Sequence, residues 1–568
     1  MPDPPQSQSI VLDRPWRRPG AATYALRRLA GMVRVPVDVY EPPPGTMETY
    51  TDVAVPTRDG TVLRVNVHRP VGAGPFPVLL SAHPYGKDNL PTRRRSGYRV
   101  SFQYRALRQT DRIRFSSLTG WEAPDPAWWT SQGYAVVNAD LRGCGTSDGT
   151  GAVLSNQEGQ DVFDLVQWAA GQAWSTGQVG MLGVSYLAIS QYKAAAFRPP
   201  ALRAICPWEG FTDAYRDLMR PGGTREIGFL KLWAAGLRKD RLTDDVVAEQ
   251  RRRPLRDDWW QSLVPDLEQI EVPMLVCASF SDNNLHSRGS FRAFQHAGST
   301  DRFAYTHRSG KWATFYSDDA RTAQLAFFDR YLRHRPVPPP PRIRLEVRED
   351  RDRVAAVRHE DQWPLARTRW RPLYLADGGR LVDDVPPPGG GTFAVRSAAA
   401  AFTWTVPADV ELTGPMALHL WLASSDADDV HLVAGVEKWR GNRYVPFEGS
   451  YGFGRDRVTT GWQKASLRAL DPDRSTPWEP VHTFDRSEPL QPGSVVPVDV
   501  PLGPSATLFR AGEDLRLVVG GRWLWPTNPL TGQFPARYER PPAGGCTLHW
   551  GGDRPAHLLV PEIPAGGG

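Results

Sequence analysis

QVGMLGVSYLAISQYKAAAF, residues 178–197, decides the fold. QVGMLG is a short apolar run of strand length, and YLAISQYKAAAF has helical composition and spacing. Ser185 stands where the one turns into the other, two residues after Gly183. Working outward, the same alternation repeats. FPVLLSAH and GYAVVNAD read as strands, and QDVFDLVQWAAGQ as a helix with Val162, Leu165, Val166 and Ala169 on one face. LRAICPW, VPMLVCAS and RFAYTH are further apolar strands, and DARTAQLAFFDRYLRH closes the series as a helix. Strands this apolar, alternating with helices, predict an α/β domain with a mostly parallel sheet buried on both faces.

The rest of the chain divides around that unit. Residues 1–45 are a proline- and arginine-rich extension in which TYALRRLAGMV predicts a short surface helix. YTDVAVPTRDGTVLRVNVHRP, residues 50–70, predicts two strands around an Arg-Asp-Gly turn. Between ICPW and VPML the helical, aromatic and charged stretch Glu209 to Glu271 is too long for a connection, so residues 206–271 are expected to be a helical cap inserted in a catalytic domain spanning 46–340. RPVPPPPR, residues 335–342, marks a boundary. Beyond it MALHLWLAS, VHLVAGVEKW, DLRLVVGG and AHLLVPEI alternate with Pro and Gly turns, which predicts a jelly-roll β-sandwich over 341–568.

Composition narrows the function. The chain has 568 residues, 40% hydrophobic and 23% charged, as in ordinary globular proteins, and more than one core is expected. The net charge of +6 does not indicate nucleic acid, because basic and acidic residues are interspersed, as in RRRPLRDDWW at 251–260 and VREDRDRV at 347–354. No apolar run reaches membrane-spanning length, and MPDPPQSQSIVLDRPWRR lacks the apolar segment of a signal peptide. Cys144, Cys206, Cys277 and Cys546 form no metal-binding pair. A cytoplasmic enzyme is the expectation, with no metal and no organic cofactor.

A serine at a strand–helix turn suits a nucleophile. It is held above the sheet, and the helix behind it favours developing negative charge. The alternative is a serine that merely caps the helix. A hydrolase also needs an acid and a histidine later in the chain. Asp282 follows the strand VPMLVCAS, where an acid belongs, although a plain turn residue would also fit. Of the four histidines between Ser185 and the proline run, His307 ends the strand RFAYTH. His334 ends the closing helix, His296 reads as a solvated helix end, and His286 follows the acid too closely. Oxyanion donors are expected from the Tyr186 backbone N–H and from AHPYGKD, which offers Tyr85, His83 and backbone amides.

Together these segments resemble the CocE/NonD acyl hydrolases, the family of cocaine esterase and X-prolyl dipeptidyl aminopeptidase, over roughly residues 48–565. GVSY at 183–186 resembles the family's G-x-S-Y-x-G, with Ala188 in place of the second glycine. EGQDVFDLVQWAAGQAWSTGQVGMLGVSY, NADLRGCGTSDG at 138–149 and ELTGPMALHLWLASSDADD at 411–429 resemble its other landmarks. The resemblance implies a Ser185–His307–Asp282 triad from GVSY, YTH and SFSD, and an oxyanion role for Tyr85 from HPYGKD. SFSD stands in place of the family's more aromatic-rich acid motif, and the cap is shorter than in the family's esterases. The expected chemistry is two-step acyl transfer from a small-molecule ester or amide.

Trp208, Phe211, Tyr215 and Trp233 offer aromatic walls for a bulky acyl or aryl group, or else pack the cap's own core. Glu209 and Asp213 suit a substrate ammonium, or else pair with Arg216 or Arg225. Asp140 and Asp148 read as structural, bonding with Arg142 across a glycine turn. Two other functions use the same parts: an acyltransferase or cyclase on the same triad, and a non-catalytic ligand-binding protein. A homodimer is the expectation for the assembly, since an extended jelly roll often buries surface against a second copy.

Overall fold

The structure is a computed structural model that describes residues 10–564 apart from 14–15, 34–36, 96, 102–103, 105–111, 450–454 and 534. The first nine residues of the proline-rich extension therefore lie outside the described residues. Of the described part of the extension, Val11–Leu12 pairs with Ala399 and Ala400, and a helix spans Ala21–Val33.

The strands predicted before the proline run form one sheet, joined by one further strand beyond it. They are β1 (Met47–Pro56), β2 (Val62–Pro70), β3 (Phe76–His83), β4 (Ala135–Asp140), β5 (Ser175–Val184), β6 (Leu202–Trp208), β7 (Met274–Ser279), β8 (Arg302–His307) and β9 (Ile343–Arg348). β1, β2 and β4 pair antiparallel, while β4–β3, β3–β5, β5–β6, β6–β7, β7–β8 and β8–β9 pair parallel, giving the order 1-2-4-3-5-6-7-8-9. Every residue of β4 and of β7 is buried, which is why these segments read as unbroken apolar runs. The main crossovers are α1 (Asn156–Ala170), α2 (Tyr186–Ala196), α3 (Ser287–His296) and α5 (Asp318–Arg333), with a short α4 (Lys311–Phe315) just before α5. Val162, Leu165, Val166 and Ala169 of α1 are fully buried, as their spacing predicts.

Between β6 and β7 the chain leaves the sheet through short helices at Tyr215–Met219, Phe229–Gly236, Val246–Arg252 and Asp258–Ser262. The proline run does not end the sheet. β9, the first strand beyond it, pairs with β8, because a strand that starts after the prolines has its N–H groups intact. Beyond β9 the pairing is mostly antiparallel. The long strands Val410–Ser424 and Val496–Phe509 run side by side, and Leu418, Leu420, Leu422, Val498 and Val500 alternate inward into a second core. Arg308, immediately after β8, joins the two halves. Its buried guanidinium donates to the carbonyls of Arg457 and Val458 at 2.6 and 2.8 Å. Among the described residues no helix is long and apolar enough to cross a membrane.

Candidate active site

Ser185 is the one residue of 181–190 that is not fully buried. Its backbone has φ 60° and ψ −114°, and its side chain makes no capping bond to α2. The conformation is set by packing on both sides. Val184 N–H donates to the carbonyl of Glu122, and Ser185 N–H to that of Trp208. A Cβ on Gly183 would lie 2.5 Å from Leu187 Cβ, so the chain must be glycine there to enter the helix. The small residue at 188 faces Gly210, where an added Cβ would come within 2.8 Å of Ala188 Cβ. Glu122 and Glu209 beside the serine also have positive φ, 63° and 52°. Three strained residues converge on one point, the usual signature of a functional site.

The Ser185 hydroxyl lies 2.9 Å from His286 Nε2. This corrects the expected partner. His307 lies on β8 with Nε2 3.0 Å from Glu209 Oε1, and Ser309 N–H donates to its Nδ1. Asp282 is ion-paired with Lys311 at 2.5 Å. The expected Ser185–His307–Asp282 set is thus not assembled. The reason is the turn after β7: the carbonyl of Asp282 accepts N–H bonds from Leu285, His286 and Ser287, and this folds His286 back over the serine. Closeness in sequence to the acid argued against His286 only for an extended chain. The run SDNN, rich in turn formers, is the signal that pointed to a turn. His296 and His334 are exposed.

The His286 ring stacks on Phe211 at 5.7 Å. Its Nδ1 is buried with no hydrogen-bond partner among the described residues. Burial, reinforced by the Lys311 ammonium, pushes the imidazole pKa well below its usual value, so the ring is neutral and able to accept the serine proton. Lys311 stays charged: burial opposes the ammonium, but Asp282, Glu209 and Glu122 more than offset it. Glu122, which accepts from Trp312 Nε1 at 3.1 Å, is pushed up to about 8 by burial.

Tyr85 meets the ring of Tyr186, the residue after the serine, edge-on at 6.0 Å, and its Oη accepts from Trp233 Nε1 at 3.3 Å. Burial and the Glu122 carboxyl hold the Tyr85 phenol well above its usual pKa, so it keeps its proton. The Tyr186 N–H opens α2, where backbone donors have no partner within the helix. The Tyr186 hydroxyl is used elsewhere, donating to Glu158 at 2.6 Å.

The other predicted pocket residues separate. Phe211 and Trp233 reach the site. Trp208 is fully buried beneath it against Tyr305 and Phe315, and Tyr215 packs on Trp260 within the segment between β6 and β7. Asp213 is engaged by Arg216 and Arg256, each at 3.2 Å. Glu209 pairs with His307 and Lys311, while Arg225 pairs with Glu539. Asp140 accepts the backbone N–H groups of Lys87 and Thr146, and Arg142 binds Asp161 and Asp59. Among the described residues one group has metal-ligand spacing, Glu209, Cys277 and His307, within 4.8 Å of one another. Both nitrogens of that histidine already make hydrogen bonds.

A parallel sheet that presents a strained serine at a strand–helix turn, with a neutral histidine on its hydroxyl, defines a serine hydrolase of the α/β type. Comparison with known proteins agrees. Residues 59–313 match the X-Pro dipeptidyl-peptidase (S15 family) pattern, and residues 337–557 match the X-Pro dipeptidyl-peptidase C-terminal non-catalytic domain. A crystal structure of a CocE/NonD family hydrolase from Staphylococcus aureus is 34% identical with a TM-score of 0.86, covering 91% of this chain and 94% of that one. The cocaine esterase of Rhodococcus sp. (strain MB1 Bresler) is 29% identical over 434 residues, 65% of this chain and 68% of that protein. An α-amino acid ester hydrolase shares the fold at 16% identity and a TM-score of 0.67, covering 92% of this chain and 98% of that one. The chain belongs to the CocE/NonD family of hydrolases and is a serine hydrolase of ester or amide bonds.

Proposed function

We propose that Ser185 is the nucleophile and His286 its base in a two-step acyl transfer to water. The 2.9 Å bond between Ser185 Oγ and His286 Nε2 at the strained turn carries this reading. As Oγ attacks the substrate carbonyl, its proton passes to Nε2 and the carbonyl π electrons move onto oxygen. The oxyanion is held by the Tyr186 N–H and the Tyr85 hydroxyl. Collapse expels the alkoxide or amine, which takes the proton from His286. Water then repeats the sequence on the acyl-enzyme, with His286 again as base.

The substrate favoured by these surroundings is an ester or amide of a bulky, uncharged acyl group. Phe211 and Trp233 supply aromatic walls, and the carboxylates that could bind an ammonium are committed to other partners. In the same reading residues 46–340 form the catalytic domain, with a cap over 206–271, and β9 adds to its sheet from just past the proline run. Residues 1–45 form an extension and 341–568 a jelly roll. Four buried, unpaired cysteines suit a reducing cytoplasm. Exposed Leu26, Leu29 and Val33 suit a face covered in a homodimer.

The test is covalent capture: a fluorophosphonate is expected to add once to the folded protein, with the adduct mapped by peptide mass to Ser185. Absence of an adduct would sink the nucleophile. Paired neutral and amino esters of one acyl group, assayed with and without an added amine nucleophile, then separate hydrolysis from acyl transfer. Tyr85→Phe is expected to lower kcat/KM about 10²- to 10³-fold with little change in stability, as loss of one oxyanion donor does. Unchanged turnover would remove Tyr85 from the hole.

A further inference from the structure

Lys311 opens α4 in the loop after β8, and its ammonium sits 2.5 Å from Asp282 Oδ2 and 4.0 Å from Glu209 Oε2, with its side chain only 10% exposed. Asp282 and His286 belong to one turn, yet the carboxylate bonds the lysine, and His286 Nδ1 is left without a partner among the described residues. A histidine base is ordinarily backed by a carboxylate on its second nitrogen. Here the acid is present four residues away and is held by a cation.

The geometry points to Lys311 as a positioning residue. Its buried ammonium keeps Asp282 from the His286 ring and stands as a fixed positive charge beside it, so turnover persists to lower pH than a carboxylate-backed histidine would allow. This rests on His286 being the base. The charged and titratable groups of the site are Asp282 on the turn that carries His286, Lys311 at the start of α4, Glu209 after β6, His307 on β8, and Glu122, whose carbonyl holds Val184. Arg288 and Arg292 on α3 point elsewhere, Arg288 over Trp462 and Arg292 onto Asp217. Lys311 is the cation that bears on the ring. Adding a proton to His286 beside it is unfavourable, and removing the cation must make that proton easier to add.

The experiment is the pH dependence of kcat/KM for the wild type, Lys311→Met and Lys311→Arg on one neutral ester. In Lys311→Met the acid limb is expected to move up by at least about one pH unit, a roughly tenfold loss at a pH on the limb. In Lys311→Arg the limb stays at its wild-type position even if the plateau falls, because the cation is kept. A merely structural lysine would lower the plateau and leave the limb in place, so coincident limbs in the wild type and Lys311→Met overturn the proposal. Should Lys311→Met fail to fold with two buried carboxylates uncompensated, Lys311→Met/Asp282→Asn removes both charges, and an upward shift smaller than that of Lys311→Met is expected. His286→Ala separates the two readings. If it is inactive and the limb does not move in the lysine variants, only the role of Lys311 falls. If it keeps wild-type turnover, the base assignment falls and the lysine proposal with it.

Discussion

Replacing Ser185 with alanine is expected to lower turnover by about 10⁴- to 10⁶-fold and to abolish fluorophosphonate labelling, while the folded state survives. The change removes one oxygen whose hydrogen bond goes to His286, and no backbone bond of the turn depends on it. Circular dichroism and thermal unfolding should match the wild type closely. What activity remains would come from the Tyr85 and Tyr186 donors and from substrate binding. A variant with turnover within about tenfold of the wild type would mean that the chemistry lies at another residue, since a nucleophile of this kind is never worth so little.

The second large effect distinguishes two histidines. His286→Ala is expected to fall as far as Ser185→Ala, about 10⁴-fold or more, because it takes away the only nitrogen within hydrogen-bond reach of the hydroxyl among the described residues. His307→Gln is expected to keep kcat/KM within about tenfold, well short of the loss that removing a general base brings. Glutamine can still donate to Glu209 at this position, so the buried carboxylate is not abandoned. His307→Ala, which does abandon it, should cost about 1–3 kcal/mol of stability and show as a lowered Tm. The reverse ranking, with His307→Gln inactive and His286→Ala active, would restore the histidine that ends β8 as the base.

Much of this molecule is legible from sequence for a simple reason. Parallel strands covered on both faces are apolar throughout, so β3 to β8 announce themselves and their order places Ser185 at the end of β5. Asp282 likewise stands just past the end of β7, where an acid belongs. Which partner each charged group takes is a different kind of information. It depends on a five-residue turn that brings His286 back over the sheet, and on where Lys311 falls as α4 begins. Neither leaves a periodic pattern. The aromatic residues show the same limit: Trp208 and Phe211 are three residues apart, yet one is buried against Tyr305 and Phe315 and the other stacks on the base. The proline run misleads in the other direction. Prolines cannot donate to a sheet, but β9 begins only once they have passed.

The three residues with left-handed backbones at the site, Ser185, Glu122 and Glu209, bear on how much heat the enzyme tolerates. Each such conformation costs on the order of 1–3 kcal/mol, against the roughly 5–15 kcal/mol that separates a folded domain from its unfolded chain. The fold therefore runs with a thermal margin narrowed at the very point where it works. Ser185→Gly, inert but free to adopt φ 60° without strain, should melt at a higher temperature than the working enzyme. Engineering heat resistance into this protein is best directed away from these three positions, toward the strand-rich C-terminal half and its exposed turns.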